Sequence, residues 1–280
     1  MTDELILNHE DLSNLHRHYI NLTCVDSGEY AKASNGGNPK RYNFSAFVVD
    51  VEGVLLAITA GHVFEELRQA VGLGSILSEW AIDDSMVTDH GFPAYPVDVS
   101  LEKDILFFHE DGLDYGAYLL DPMAAIALNK SGIVPVRQDQ WDAEDLDEFT
   151  FWTLIGLPTQ FATLSHEGPS LKSHVTVRVV PLTDRPTDLE PTKHPRLFAK
   201  VDFESVAGWE RWFDVGGMSG GPVFGTREPP QGSDYEYRLI GIQSAWRKGE
   251  NVAMCAAQPF LRALARMITE RRRGGDAAGA

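Results

Sequence analysis

Apolar residues along the chain come in short runs of strand length, each ended by glycine, proline or a cluster of small polar residues. The strongest pair is Phe44–Asp50 and Val54–Thr59, joined by Val51-Glu52-Gly53, which predicts a β-hairpin. Similar runs follow at Ile105–Phe108, Tyr115–Leu120, Thr150–Leu157, His174–Val180, Leu197–Phe203, Tyr237–Gln243 and Val252–Ala256. Many short strands with Gly/Pro turns and little helical period predict an all-β barrel or sandwich. One helix is expected at the end: in Pro259–Arg271, residues Phe260, Leu261, Leu264, Met267 and Ile268 make one apolar stripe. Residues 1–40 read as polar and mixed, with a loop at Ser34–Pro39. The stretch Asn129–Glu148, with Asp139, Asp142, Asp145 and Asp147, reads as a connection between two halves, and Gly274–Ala280 as a frayed tail.

Composition narrows the function classes. The 280 residues suffice for one large or two small domains. The longest apolar stretches, such as Val54–Ala60, are strand-sized, so no membrane span is expected. Met1–Leu5 opens acidic, with no basic n-region, so no secretory signal is read and the expected address is cytoplasmic. Two cysteines, Cys24 and Cys255, cannot build a disulfide framework, which agrees with a reducing compartment. Without a signal, the sequons at Asn21 and Asn43 are read as chance. A net charge of -17 argues against nucleic acid, since phosphate binding needs basic surface. The triplet Arg271-Arg272-Arg273 ends the terminal helix, where cations favour the dipole.

Two segments carry chemistry. Gly216-Gly217-Met218-Ser219-Gly220-Gly221-Pro222-Val223-Phe224 places a serine among glycines just before an apolar strand. Hydroxyl attack on a carbonyl needs an exposed serine and nearby N–H donors for the oxyanion, and glycines permit the tight loop that aims them. A bare Gly-x-Ser-x-Gly would equally suit an idle turn; the full Gly-x-Ser-Gly-Gly-Pro run does not. The second segment is Ile58-Thr59-Ala60-Gly61-His62-Val63-Phe64, a histidine at the end of a strong strand, where a general base is held rigidly. The other histidines, His16 and His18 included, show no zinc spacing, so neither metal nor cofactor is expected.

These segments resemble the signature of the trypsin/chymotrypsin-like serine peptidases, of the intracellular or bacterial type without a trailing peptide-binding domain. The matching runs are Thr59-Ala60-Gly61-His62, Asp114-Tyr115-Gly116-Ala117-Tyr118 and Gly217-Met218-Ser219-Gly220-Gly221-Pro222, in the family's His…Asp…Ser order. Supporting echoes are Leu154-Ile155-Gly156-Leu157-Pro158 and Leu239–Ser244. The resemblance implies two six-stranded antiparallel β-barrels and a C-terminal helix. The halves would be residues 1–135 with His62 and Asp114, residues 136–270 with Ser219, and a flexible tail at 271–280. It implies a Ser-His-Asp triad acting on a protein or peptide substrate, with an oxyanion hole from the N–H groups of Gly217 and Ser219. Gly216, Ser244, Ala245 and Trp246 would contact the substrate backbone by strand addition.

Two departures change the expectation. Met218 stands where zymogen-activated members carry an aspartate, so activation by N-terminal cleavage is not expected. Phe213 at the pocket base and Trp246 narrow the primary pocket toward small or medium apolar residues, while Asp214 is a rival signal for Arg or Lys. For the triad acid, Asp104 also starts a strand-like run, but Asp114, with Gly116 two places on, fits the family better. A non-catalytic peptide- or partner-binding module is the alternative function, and gating by a regulatory protein partner stays open.

Overall fold

The structure, a computed structural model, describes residues 9–83, 95–142, 146, 148, 149, 151–159, 174–202, 215–227, 236–246 and 250–278. In chain order, α1 (His9–His16) leads into β1 (Tyr19–Asp26), α2 (Glu29–Ser34) and the hairpin strands β2 (Lys40–Val51) and β3 (Val54–Thr59). Then come α3 (Gly61–Gly72), β4 (Leu77–Asp83), β5 (Tyr95–Pro96), β6 (Ile105–Glu110) and β7 (Leu113–Leu119). Helices α4 (Pro122–Lys130) and α5 (Gln138–Trp141) connect to β8 (Phe151–Gly156), β9 (Val175–Leu182) and β10 (Leu197–Val201). The chain closes with β11 (Pro222–Arg227), β12 (Glu236–Trp246), β13 (Asn251–Ala256) and α6 (Ala257–Ala278).

The first hairpin forms for a local reason. Val51 pairs with Val54, so the turn is Glu52-Gly53, both at positive φ (53° and 72°), and Asp50 Oδ1 accepts the Gly53 N–H at 2.8 Å. That backbone twist matches the twist of the flanking strands. The seven N-terminal strands pair antiparallel in the order β5-β4-β1-β2-β3-β7-β6. Strand β1 lies inside this sheet and is buried along its whole length, although its stretch reads as mixed in sequence. Its polar groups are paired: Thr23 Oγ1 donates to the Ala81 carbonyl at 3.3 Å, and Asp26 Oδ1 accepts from Gly28 and Ile76 N–H groups.

Strands β8–β13 form a closed six-stranded barrel, β10-β13-β12-β11-β8-β9, with β9 pairing back to β10. The N-terminal half differs from the expected second six-stranded barrel. It is a seven-stranded sheet, and among the described residues its edges β5 and β6 do not pair. Strand β5 has two residues and ends at Pro96, which has no N–H to extend a ladder. The terminal helix also differs: it runs from Ala257 to Ala278, past the Arg271 at which the apolar stripe ends. The stripe marks only the part that packs.

One apolar cluster joins the halves. It takes Tyr19, Phe47, Ile58 and Tyr115 from the sheet and Ile155, Phe224, Ile242, Phe260, Leu261 and Leu264 from the barrel and α6. Tyr115 stacks on Phe260 with ring centroids 4.6 Å apart, and its hydroxyl donates to the Ala256 carbonyl at 2.8 Å. The residue after Asp114 is therefore anchored to the barrel.

Candidate active site

His62 sits in the first turn of α3, just beyond the end of β3. The N-cap, Ala60, offers no side-chain acceptor, so the first-turn N–H groups need partners from elsewhere. Asp114 on β7 provides one: its Oδ1 accepts the His62 backbone N–H at 2.7 Å. Its Oδ2 lies 2.7 Å from His62 Nδ1. One buried carboxylate thus caps a helix and orients the imidazole on that helix. A side chain at Gly61 would overlap the Phe108 carbonyl, so only glycine lets α3 come this close to β6 and β7.

An ionised carboxylate only accepts, so Nδ1 carries the proton and Nε2 keeps a free lone pair. The Asp114 side chain is 1% exposed and that of His62 20%. Burial works against the imidazolium, but the hydrogen bond and charge of Asp114, helped by Glu66, outweigh it. The His62 pKa is held above its ordinary value, with Arg196 opposing.

The serine loop is held by backbone. Met218 N–H donates to Val215, Gly220 N–H to Gln243 and Gly221 N–H to Met218, at 3.1, 2.9 and 2.9 Å. Thr159 N–H donates to the Gly216 carbonyl at 2.8 Å, which fixes the peptide plane that carries the Gly217 N–H. Among the described residues, the N–H groups of Gly217 and Ser219 have no acceptor. Two donors left open between satisfied ones make a seat for an oxyanion. Met218 is buried in the barrel core. Gly220, at φ 89°, rests on β3: a Cβ there would overlap Thr59 Oγ1 and the Ser45 carbonyl and come within 2.9 Å of the Ala60 nitrogen. The loop therefore lies against the two residues that lead into the helix of His62.

Strand β11 pairs with β12 only as far as Ile242, and the β12–β13 register shifts between Gln243 and Ala245. Ser244 sits in that bulge, its hydroxyl 3.3 Å from the Ala253 carbonyl. Ala245 and Trp246 pair with β13 on one side, and among the described residues no strand covers their other side. Phe213 and Asp214 lie outside the described residues. Asp104 is elsewhere: its Oδ2 accepts the Ser100 N–H at 2.9 Å within a turn.

Sequence reasoning missed five neighbours of this site. The His109 ring lies 5.9 Å from that of His62 and bonds through Nδ1 to the Glu65 carboxylate. Glu66 and Arg196 act on His62 by charge. Ser45 reaches the serine loop from β2. Only Glu65 and Glu66, three and four positions after His62, had a signal in helical spacing. Among the described residues, no group of three or more His, Cys, Asp or Glu side chains could hold a metal ion.

No protein-family model matches the chain, and no curated protein matches it. Its neighbours among solved structures include serine proteases of the trypsin/chymotrypsin kind. They also include the Murine Norovirus NS6 protease, as an inactive mutant, 10% identical at a TM-score of 0.39 over 76% of this chain and 85% of that one. A thermostable serine protease, AL20, from an extremophilic microorganism is 11% identical at a TM-score of 0.49, over 87% of this chain and 92% of that one. The protease Anisep from Arthrobacter nicotinovorans is 15% identical at a TM-score of 0.45, over 86% and 90%. The Rv3671c protease, in an inactive form, is 12% identical at a TM-score of 0.43, over 91% of each chain. None reaches a TM-score of 0.5, so the fold rests on this chain's own strand pairing and the chemistry on its own residues.

Proposed function

We propose that the chain is a serine endopeptidase in which His62 is the general base, Ser219 the nucleophile and Asp114 the orienting acid. The observation that carries this reading is the double grip of Asp114 on His62, in a helix whose lead-in residues Thr59 and Ala60 lie against a serine loop that, among the described residues, has two unused N–H donors. Nε2 takes the Ser219 proton as Oγ attacks the substrate carbonyl. The N–H groups of Gly217 and Ser219 receive the oxyanion, and Asp114 stabilises the imidazolium. That proton then goes to the leaving amine, and water repeats the sequence on the acyl-enzyme. Among the described residues no strand pairs with the outer side of Ala245 and Trp246, which supports strand addition by the substrate, and Ser244 and Gly216 are proposed as further substrate contacts. Phe213 and Asp214 are proposed for the primary pocket. No cofactor has a part in this chemistry.

In this reading residues 1–135 carry base and acid as the counterpart of a first barrel, residues 136–270 carry the nucleophile, and 271–280 are peripheral. The partners are protein or peptide substrates, and a regulatory protein is compatible with the site; an acidic chain of net charge -17 suits neither nucleic acid nor an anionic membrane. Among the described residues no helix is long and apolar enough to cross a membrane. Two buried, unpaired thiols, Cys24 and Cys255, support a reducing compartment such as the cytoplasm. The rival reading, a peptide-binding module without catalysis, draws on the same uncovered strand. Profiling on a peptide library with Ser219→Ala as control separates them: cleavage by the native chain alone supports the peptidase, and retention of peptides without cleavage selects the binding module.

A further inference from the structure

We propose that Ser45 is a positioning residue that fixes the serine loop relative to the helix of His62; this rests on the peptidase reading above. Ser45 lies in β2 and is fully buried. Its hydroxyl is 3.2 Å from the Gly217 carbonyl and accepts the Leu157 N–H at 3.0 Å. Among the described residues, the Gly217 carbonyl takes no other hydrogen bond. The Tyr19 hydroxyl is also 3.2 Å from Ser45 Oγ, but its proton points to Asn21 Oδ1 at 2.6 Å, so the Ser45 proton goes to Gly217.

The main chain of the same residue acts on the other side of Ser219. The Ser45 carbonyl accepts Thr59 Oγ1 at 2.8 Å and lies against Gly220. The loop therefore hangs from the Ser45 hydroxyl before Ser219 and rests on the Ser45 carbonyl after it. Thr59 is three residues before His62, and Leu157 follows the end of β8. One residue thus sets the nucleophile loop, the barrel strand behind it and the strand leading to the base against one another.

Removing the hydroxyl leaves the Gly217 carbonyl and the Leu157 N–H without these partners at a buried junction. The peptide from Gly217 to Met218 then keeps only its Met218 N–H bond to Val215, and the N–H groups on either side of it are aimed less firmly. Charge builds on the oxyanion only in the transition state, so the loss falls on kcat rather than KM. Asp114 and His62 keep their hydrogen bonds, so the pH dependence stays. A merely structural hydroxyl would lower thermal stability without this split.

The test measures kcat, KM and the pH profile on one peptide substrate for the native chain, Ser45→Ala, Ser45→Cys and Thr23→Val. Ser45→Ala is expected to lose about 10–10²-fold in kcat, with KM and the ascending pH limb unchanged. Ser45→Cys, with a weaker donor of similar size, is expected to lose several-fold less. Thr23→Val removes a buried hydroxyl that donates to the Ala81 carbonyl away from the loop, and is expected to keep kcat. A folded Ser45→Ala with native kcat, a rise in KM alone, a shifted pH limb, or an equal kcat loss in Thr23→Val would overturn the role. If Ser45→Ala does not fold, Ser45→Cys decides: a reduced kcat supports the role and a native kcat overturns it. A native chain that cleaves no peptide overturns the peptidase reading itself, a different failure from an active enzyme indifferent to Ser45.

Discussion

The two halves hold their functional groups by different means. In the N-terminal sheet the imidazole is gripped by a side chain: Asp114 binds both the backbone and the ring of His62. In the barrel the serine loop is gripped chiefly by main chain, through Val215, Gln243, Met218 and Thr159, and by the neutral Ser45 hydroxyl from β2. The sheet accordingly buries charge and polarity, with Asn21, Asp26, Ser45, Asp83 and Asp114 inside it, whereas among the described residues the buried polar side chains of the barrel are neutral: Thr153, Thr226, Gln243 and Ser244. A base needs its charge state tuned, which takes a nearby charge; a nucleophile and its oxyanion seat need donors aimed, which peptide groups do without ionising. Changes at Asp114 should therefore move the pH profile, and changes in the loop, or at the Ser45 that holds it, should lower turnover at a fixed profile.

The largest effect is expected where the halves meet. Ser219→Ala and His62→Ala should each cost about 10⁴–10⁶-fold in turnover, with the double variant scarcely worse, because the two act as a unit. Additive losses in single-turnover assays would break that coupling. Asp114→Asn should cost about 10⁴-fold, because an amide facing Nδ1 favours the wrong tautomer, and Asp104→Asn far less. The native ascending limb of kcat/KM should lie above the ordinary histidine value of 6.5, and Asp114→Asn should move it down. A pH–rate profile of both variants checks ranking and direction together.

On the barrel side, Gly220→Ala should lower kcat by about 10–10²-fold with an unmoved pH limb, because the added Cβ has no room against Thr59 and Ser45. A shifted limb would show that the loop also tunes the base, against the contrast drawn above. The smallest effect concerns the joint between the halves. His18 Nδ1 bonds the Val134 carbonyl at 2.5 Å and Nε2 meets the Tyr237 hydroxyl at 2.9 Å, and burial lowers its pKa to about 4. The unfolded chain takes up its proton first, so this neutral histidine favours the fold fully above pH ~6.5, and the contribution fades toward pH 4. Denaturant midpoints should fall over that window, and less steeply in His18→Gln.

What the sequence made legible follows from how local each signal is. The β2–β3 hairpin, the barrel strands and α6 carry period and turn residues within a few positions of each other. Strand β1 was hidden because Asn21, Thr23 and Asp26 are polar yet buried, Thr23 and Asp26 paired with Ala81 and Ile76 far along the chain. Helix α3 was hidden behind the histidine motif, although Val63, Phe64 and Leu67 make its buried face. Asp121 caps α4 by accepting the Met123 and Ala124 N–H groups at 2.7 and 2.9 Å. At the site, motifs singled out His62, Asp114 and Ser219, and the Asp114–His62 pairing is present in the structure. Ser45 was not singled out, because nothing near it in sequence says that its hydroxyl meets Gly217, 172 residues away.

The most direct test of the central claim is the mass of the native chain after reaction with a fluorophosphonate probe, followed by mapping of the modified peptide. The account predicts one adduct, on Ser219, forming at least ~10³-fold more slowly in His62→Ala. No adduct, or an adduct that forms on Ser219 equally fast without His62, would contradict it.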